Sequence, residues 1–252
     1  MGSDSMSLKD KWVKTKWLTA DPKLRHYVPE TRRFTRSALN KMIDRYKMIY
    51  FKPADGTGGS GIARVDRIAG SRFKVKMKKH TTRVSSARAL YSRLRAIAKR
   101  RKYLLQKGIR LQRSNGRPFD IRVMMQKSSR DSWLPTGTFV KLGRPNAVAT
   151  NYHQGGALKL LGPTLRHAGY KPSRIANYRK RLNRLGRITA SCFTRHRPRF
   201  KELGLDVALD RQGRLWILEV NTRPNISAVK LLKDKSVYRT LMRYGKQYGR
   251  SK

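Results

Sequence analysis

The chain has 252 residues, 38% of them hydrophobic, with seven Phe, 11 Tyr and four Trp; that excludes a disordered chain and allows one large domain or two small ones. Lys and Arg number 61 against 14 Asp and Glu, a formal net charge of +47. A field of that sign selects anionic partners such as nucleic acid, acidic polymers, nucleotides or anionic surfaces, and the single cysteine, Cys192, excludes a disulfide within the chain.

Residues 1–11 read as a disordered leader, and Trp12 to about Thr35, with Pro22 and Pro29, as irregular chain. No apolar run is long enough to span a bilayer and the N-terminus has no apolar signal core, so the expected location is cytoplasmic. Thr35 caps a predicted helix to Tyr46 with Leu39, Met42, Ile43 and Tyr46 on one face. A buried strand, Met48 to Phe51, then runs into Lys52-Pro53 and a Gly-rich loop, Asp55 to Gly61. Ile62 to Lys78 alternates like a strand pair turning at Ala69-Gly70-Ser71. Ser85 or Ser86 opens a helix to about Arg101, followed by the strand Tyr103 to Gln106.

Phe119 to Gln126 reads as a strand with Trp133 to Val140 as its hairpin partner. Ser173 to Ile188 reads as a helix with an apolar stripe through Ile175, Tyr178, Leu182, Leu185 and Ile188. Its other faces carry Arg174, Arg179, Lys180, Arg181, Arg184 and Arg187, and residues 132–201 hold 15 Lys and Arg but no Asp or Glu. That surface fits an anion-binding face or a plain solvated one. Leu203 to Leu209 and Leu215 to Val220 form a strand pair, and Ile226 to Tyr248 reads as helical. Strands mixed with helices imply an α+β or α/β fold. Cys192 has no acidic or His neighbour in line and reads as buried packing.

The strongest chemical signal lies in Leu203 to Asn225. Glu219 and Asn221 share one face of a strand, and the hairpin brings Asp206 beside them. Two carboxylates and an amide oxygen suit Mg²⁺. An ion pair between Glu219 and one of the many arginines fits that residue equally well. Lys52, ending a strand, is placed to reach phosphate oxygens, and Gly56, Gly58, Gly59, Ser60 and Gly61 allow close approach of backbone N–H groups; a flexible hairpin would read the same. Arg122 stands out inside an apolar strand as a clamp for a phosphate or carboxylate, with Asp120 on the same face to orient a basic neighbour. Asn151, Gly155 and Gly156 fit a polar loop near phosphates or an ordinary turn, and the five histidines show no zinc-like spacing.

Strand-Lys-Pro-Gly-rich loop, then D-x-R, then D-x12-E-x-N-x2-P, resembles the ATP-grasp superfamily. The phrases YVPET (27–31), YFKPADGTGGSGI (50–62), LQKGIRLQRSNGRPFDIRVMMQK (105–127) and NYHQGG (151–156) are similar to its endospore-coat-associated (YheC/YheD-type) branch. The resemblance implies an α+β ATP-grasp fold of two lobes clasping the nucleotide, about 35–103 smaller and about 104–252 larger within a 12–252 domain. The N-terminal domain that usually precedes such lobes is expected to be absent or minimal. It implies that Lys52 and Arg122 act in catalysis on ATP, with Arg122 stabilising the phosphoryl group or the tetrahedral intermediate. Gln106 and Lys107 fall at the adenine hinge, and Asp206, Glu219 and Asn221 hold two Mg²⁺, with Mn²⁺ as a substitute. The implied reaction turns a carboxylate into an acyl phosphate and passes it to an amine; an acidic peptide or polymer is one candidate substrate, and spore association follows from the branch. The alternatives are a nucleic-acid or polyanion-binding protein and a non-catalytic coat scaffold.

Overall fold

In the computed structural model, residues 7–56, 60–145, 150 and 155–250 are described. Two antiparallel sheets organise them. The first runs β1 (Thr31–Arg33), β6 (Tyr103–Lys107), β2 (Met48–Pro53), β3 (Ala63–Arg67), β4 (Phe73–Met77), β5 (His80–Val84). Its core is built by α2 (Arg36–Arg45) and α3 (Ala87–Ala98), which bury Leu39, Met42, Ile43, Leu90 and Leu94 against Ile49, Phe51 and Val65. Both helices start where the chain provides a hydroxyl cap: Thr35 accepts from the Ala38 N–H and Ser86 from the Ala89 N–H, each at 3.1 Å. The strands of this lobe span Thr31 to Lys107.

The second sheet runs β10 (Ala157–Leu160), β9 (Trp133–Leu142), β8 (Arg117–Lys127), β11 (Glu202–Leu209), β12 (Leu215–Asn221), with the short β7 (Arg113–Ser114) beside β8. Alternation along β8 divides its two faces. Ile121, Val123 and Met125 pack on α5 (Pro172–His196) through Leu182 and Leu185, whereas Met124 meets Leu241 of α6 (Ser236–Lys246) on the other side. α4 (Leu161–His167) adds Leu161 and Leu165 to the α5 side. The helix expected over 173–188 runs on to His196 because Thr189, Cys192 and Phe193 continue its buried stripe. Cys192 is buried as expected, and burial pushes its thiol up to about 11.

Two stretches differ from the sequence reading. The stretch from Trp12 opens as a helix, α1 (Lys11–Ala20), not as irregular chain. Asp10 caps it by accepting from the Trp12 and Val13 N–H groups at 2.7 and 3.2 Å, and Trp17 anchors it by lying edge-on to Phe193 and flat on His196 of α5. Its lysines blur the apolar period, so the pattern is weak. The C-terminal helix expected over 226–248 is interrupted: a 3-10 turn at Ser227–Leu231 precedes α6, and Asp234 Oδ1 accepts from the Ser236 N–H at 2.8 Å between them. Of the expected leader, residues 7–11 are described, and the Leu8 N–H donates to Thr222 Oγ1 at 2.8 Å. Among the described residues no helix is long and apolar enough to cross a membrane.

α5 lies so close to β8 that a Cβ at Gly186 would fall 2.5 Å from Met125 Sδ. Gly186→Ala is expected to lower unfolding free energy by about 1–3 kcal/mol through overpacking. Urea denaturation checks this; an unshifted midpoint contradicts it.

Candidate functional site

The two sheets meet at a cleft of about 430 Å³. Its second-sheet wall is set by register. Arg122 on β8 lies opposite Asp206 on β11, and Asp206 lies opposite Glu219 on β12. Arg122 grips Asp206 bidentately, Nε to Oδ1 at 2.6 Å and Nη2 to Oδ2 at 3.1 Å. Lys141, on β9 opposite Asp120, bridges Asp120 Oδ1 at 3.1 Å and Asp206 Oδ1 at 2.9 Å, and Thr150 donates to the other oxygen of Asp120. Burial pushes Asp206 up, but Arg122 and Lys141 outweigh it and hold the carboxyl well below the usual carboxylate range. Asp120 shares only Lys141, and burial wins there, raising its pKa to about 6.

β12 is the outer strand of its sheet. The register skips between Asp206/Glu219 and Val207/Ile217, a bulge that leaves Leu218 with no partner opposite. The Leu218 carbonyl is free to accept a bond from the other lobe: Lys52 Nζ donates to it at 3.3 Å and to Gln106 Oε1 at 2.8 Å. Gln106 in turn donates to Thr31 Oγ1 at 3.0 Å, so its amide holds Lys52 in place. Burial lowers the Lys52 pKa to about 8, against the pull of Glu219 and with the help of Lys11 and Lys14.

Lys52, Gly56, Ser60, Gln106, Lys107, Asp120, Arg122, Asp206, Glu219 and Asn221, all singled out from sequence, line this one cleft. Gly61, Gly155 and Gly156 do not form its wall. Gly61, at φ +74°, turns the chain into β3 beneath the Tyr103 hydroxyl, and the Gly155 carbonyl accepts from Arg144 Nε at 3.2 Å. Gly58, Gly59 and Asn151 lie outside the described residues. Lys107 lies over the rings of Trp216, at 4.8 Å, and Tyr46, at 5.4 Å. Sequence reading missed Lys141 and Thr150, and also Lys11, whose ammonium is 3.4 Å from Glu219 Oε1 and donates to the Gly56 carbonyl. Lys141 carried the signal that identified Arg122, a lone cation inside an apolar strand (Phe139-Val140-Lys141-Leu142).

The donor set fits a hard divalent cation. The described residues contain no group of three or more His, Cys, Asp and Glu able to hold a metal; the oxygens here come from two carboxylates and an amide. Asp206 has committed its lone pairs to Arg122, Lys141 and the Asn221 amide N–H at 3.4 Å. Among the described residues Glu219 pairs only with Lys11, so Glu219 and the Asn221 amide oxygen are the oxygens most free to hold Mg²⁺, with Asp206 beside them.

A family model of YheC/D-like ATP-grasp proteins matches residues 4–251. The endospore coat-associated protein YheD of Bacillus subtilis (strain 168) is 27% identical over 229 residues, which cover 86% of this chain and 49% of YheD; the chain thus spans about half the length of that relative. Two solved structures share the fold. D-cycloserine synthetase DcsG superposes with a TM-score of 0.57 at 12% identity, over 96% of this chain and 71% of that one. The biotin carboxylase domain of Hydrogenobacter thermophilus 2-oxoglutarate carboxylase, solved with the magnesium salt of ADP and with bicarbonate, gives 0.52 at 14% identity, over 97% and 46%.

Removing the carboxylate of Asp206 strands the buried Arg122, while Lys141 keeps Asp120 as its partner. Asp206→Asn is expected to cost about 3–5 kcal/mol of stability, read as a drop in the chemical-denaturation midpoint; retention of the parent midpoint contradicts the pairing.

Proposed function

The chain belongs to the YheC/D-like ATP-grasp family, and from that membership we propose that it is a Mg-ATP-dependent ligase joining a carboxylate to an amine. One observation carries the reading. A buried lysine from one sheet and an oxygen-rich strand pair from the other face a single cleft, as a triphosphate with its counter-ions requires. The apolar side of the cleft, with Tyr50, Ile62, Ile109 and Leu158, suits an adenine ring. The magnesium-ADP complex of the 2-oxoglutarate carboxylase domain is in keeping with that occupant.

In this reading Lys52 binds phosphate oxygens, held on target by Gln106 and by the Leu218 carbonyl. Glu219 and Asn221, with Asp206 beside them, hold Mg²⁺, which supplies neutralisation of phosphate charge; the family resemblance gives two ions, for which Mn²⁺ substitutes. A substrate carboxylate oxygen attacks the γ-phosphorus as the bond to ADP breaks, giving an acyl phosphate. The amine nitrogen then attacks the acyl carbon, inorganic phosphate leaves with the bonding pair, and the amine loses a proton. Arg122, rigidly paired to Asp206, presents its remaining N–H groups to the phosphoryl oxygens. Catalysis is chiefly positioning and charge neutralisation. An acidic peptide or polymer suits the charge of +47 as carboxylate donor, and the YheD relative is in keeping with spore association. A purely structural coat role would not call for Lys52, Glu219 and Asn221 to converge.

One observation favours a second, separate activity. Arg179, Lys180, Arg184 and Arg187 are exposed on α5, which packs on the sheet face remote from Asp120 and Arg122, and none has an ion-pair partner among the described residues. That face fits a nucleic-acid phosphate backbone. Replacing all four by Gln is expected to weaken binding to duplex DNA at least tenfold and flatten its salt dependence in a fluorescence-anisotropy titration; equal affinity removes this reading and leaves the ligase one intact.

Glu219→Gln is expected to reduce Mg²⁺-dependent ADP release at least a hundredfold, and Lys52→Ala to weaken ATP binding about tenfold to a hundredfold, or about 1.4–2.8 kcal/mol. ADP release assayed with amino acids, peptides and acidic polymers checks the first and calorimetry the second. Unchanged turnover in the Glu219 variant contradicts the metal role, and unchanged affinity in the Lys52 variant contradicts the phosphate role.

A further inference from the structure

The sheet face that carries Arg122 and Asp206 continues past the cleft into a second buried polar cluster. Along β8 and β11, Arg122 lies opposite Asp206, Met124 opposite Gly204 and Gln126 opposite Glu202, so all six share that face. Gln126 is fully buried and Glu202 only 5% exposed. Thr136 of β9 donates to Gln126 Oε1 at 2.6 Å. Gln126 Nε2 donates to the Leu241 carbonyl of α6 at 3.1 Å and to the Tyr248 hydroxyl oxygen at 2.5 Å. The Tyr248 hydroxyl donates to Glu202 Oε2 at 3.0 Å, and Arg250 Nη1 donates to both Glu202 oxygens. None of these groups lines the cleft.

Arg250 reaches the cluster because α6 ends in a glycine-terminated turn. Gly249, at φ +76°, reverses the chain, and the Arg250 N–H donates back to the Gly245 carbonyl at 3.0 Å. The side chain then lies across Gly245, where an added Cβ would fall 3.2 Å from Arg250 Cδ. The other arm of the guanidinium leaves the cluster: Nη2 donates to the Pro224 carbonyl at 2.9 Å. Pro224 follows β12 and lines the cleft together with Asn221, Arg223 and Asn225. It folds back over β11 so closely that a Cβ at Gly204 would stand 2.8 Å from Pro224 Cβ. Gly204 lies opposite Asn221, whose amide donates to the Gly204 carbonyl at 3.4 Å. The loop that leaves Asn221 is thus held between β11 on one side and the Arg250 guanidinium on the other.

We propose that Arg250 is a positioning residue for the cation site: one arm of its guanidinium is fixed on Glu202 while the other holds the Pro224 carbonyl, which sets the path of residues 221–225 and the aim of the Asn221 amide oxygen into the cleft. This rests on the reading of the cleft as a nucleotide site with Asn221 on its metal. The Gln126–Tyr248–Glu202 cluster is the rigid base of the strut, because its bonds join β8, β9, β11 and α6. A residue at the far end of the chain from Lys52 thereby acts on the same cleft.

Mn²⁺ affinity in the presence of ATP is measured by electron paramagnetic resonance, and the urea midpoint by fluorescence, on the full chain and on Arg250→Lys, Arg250→Met and Tyr248→Phe. Arg250→Lys keeps a cation on Glu202 and gives up the two-armed reach to Pro224. It is expected to unfold near the parent midpoint and to bind Mn²⁺ about tenfold more weakly. Arg250→Met is expected to lose at least as much affinity and to unfold earlier. Tyr248→Phe removes a bond of the same cluster that does not touch the loop; it is expected to unfold earlier and yet keep the parent Mn²⁺ affinity. Parent-like Mn²⁺ affinity in Arg250→Lys, or an equal loss in Tyr248→Phe, overturns the inference while the ligase reading stands. Failure of the parent chain to bind Mn²⁺ with ATP overturns both.

Discussion

Lys11 pairs with the carboxylate of Glu219, Lys14 and Lys52 border the same small cavity, and the rest of the site is arranged around that excess of positive charge. Lys52 comes from the first sheet, Lys11 and Lys14 from the N-terminal helix, and Glu219 from the outer strand of the second sheet. Like charges in a poorly solvated space repel, and burial lowers the pKa of Lys14 and Lys52 to about 8. Part of the compensation is internal: Lys52 rests on Gln106 and on a backbone carbonyl. The remainder suits an anionic ligand.

The fold creates this meeting point through two local devices. A bulge in β12 leaves Leu218 unpaired, so that its carbonyl turns from ladder partner into an acceptor for the opposite lobe while Ile217 and Val220 both stay in the core. Behind the bulge, Asp206 acts as the hub of a closed ion-pair network with Arg122 and Lys141. That network keeps two cations rigid and leaves Glu219 as the less encumbered carboxylate. In the proposed oxygen triad, Asp206 thus contributes order.

Much of this could be read from the chain because the relevant residues broke a local pattern. Lys52 ends an apolar strand before glycines, Arg122 interrupts an apolar one, and Glu219 and Asn221 are two apart where a strand must place them together. Acids are scarce, so each one in an apolar context stood out. Lys11 and Lys14 were hidden for the opposite reason. They are two lysines among many, on a helix whose apolar face is narrow and whose cap, Asp10, lay in a stretch read as leader. Their role depends on α1 lying against β12, a contact between distant parts of the chain that no local period encodes. The interruption between the 3-10 turn and α6 was obscured because both halves carry apolar residues at helical spacing.

The most direct test is a crystal structure of the chain with Mn²⁺ and a non-hydrolysable ATP analogue, with the metal located by its anomalous scattering. The account predicts a manganese peak about 2.1 Å from oxygens of Glu219 and Asn221, with the terminal phosphates against Lys52. Manganese bound elsewhere, or an analogue lying outside the cleft between the two sheets, would contradict it.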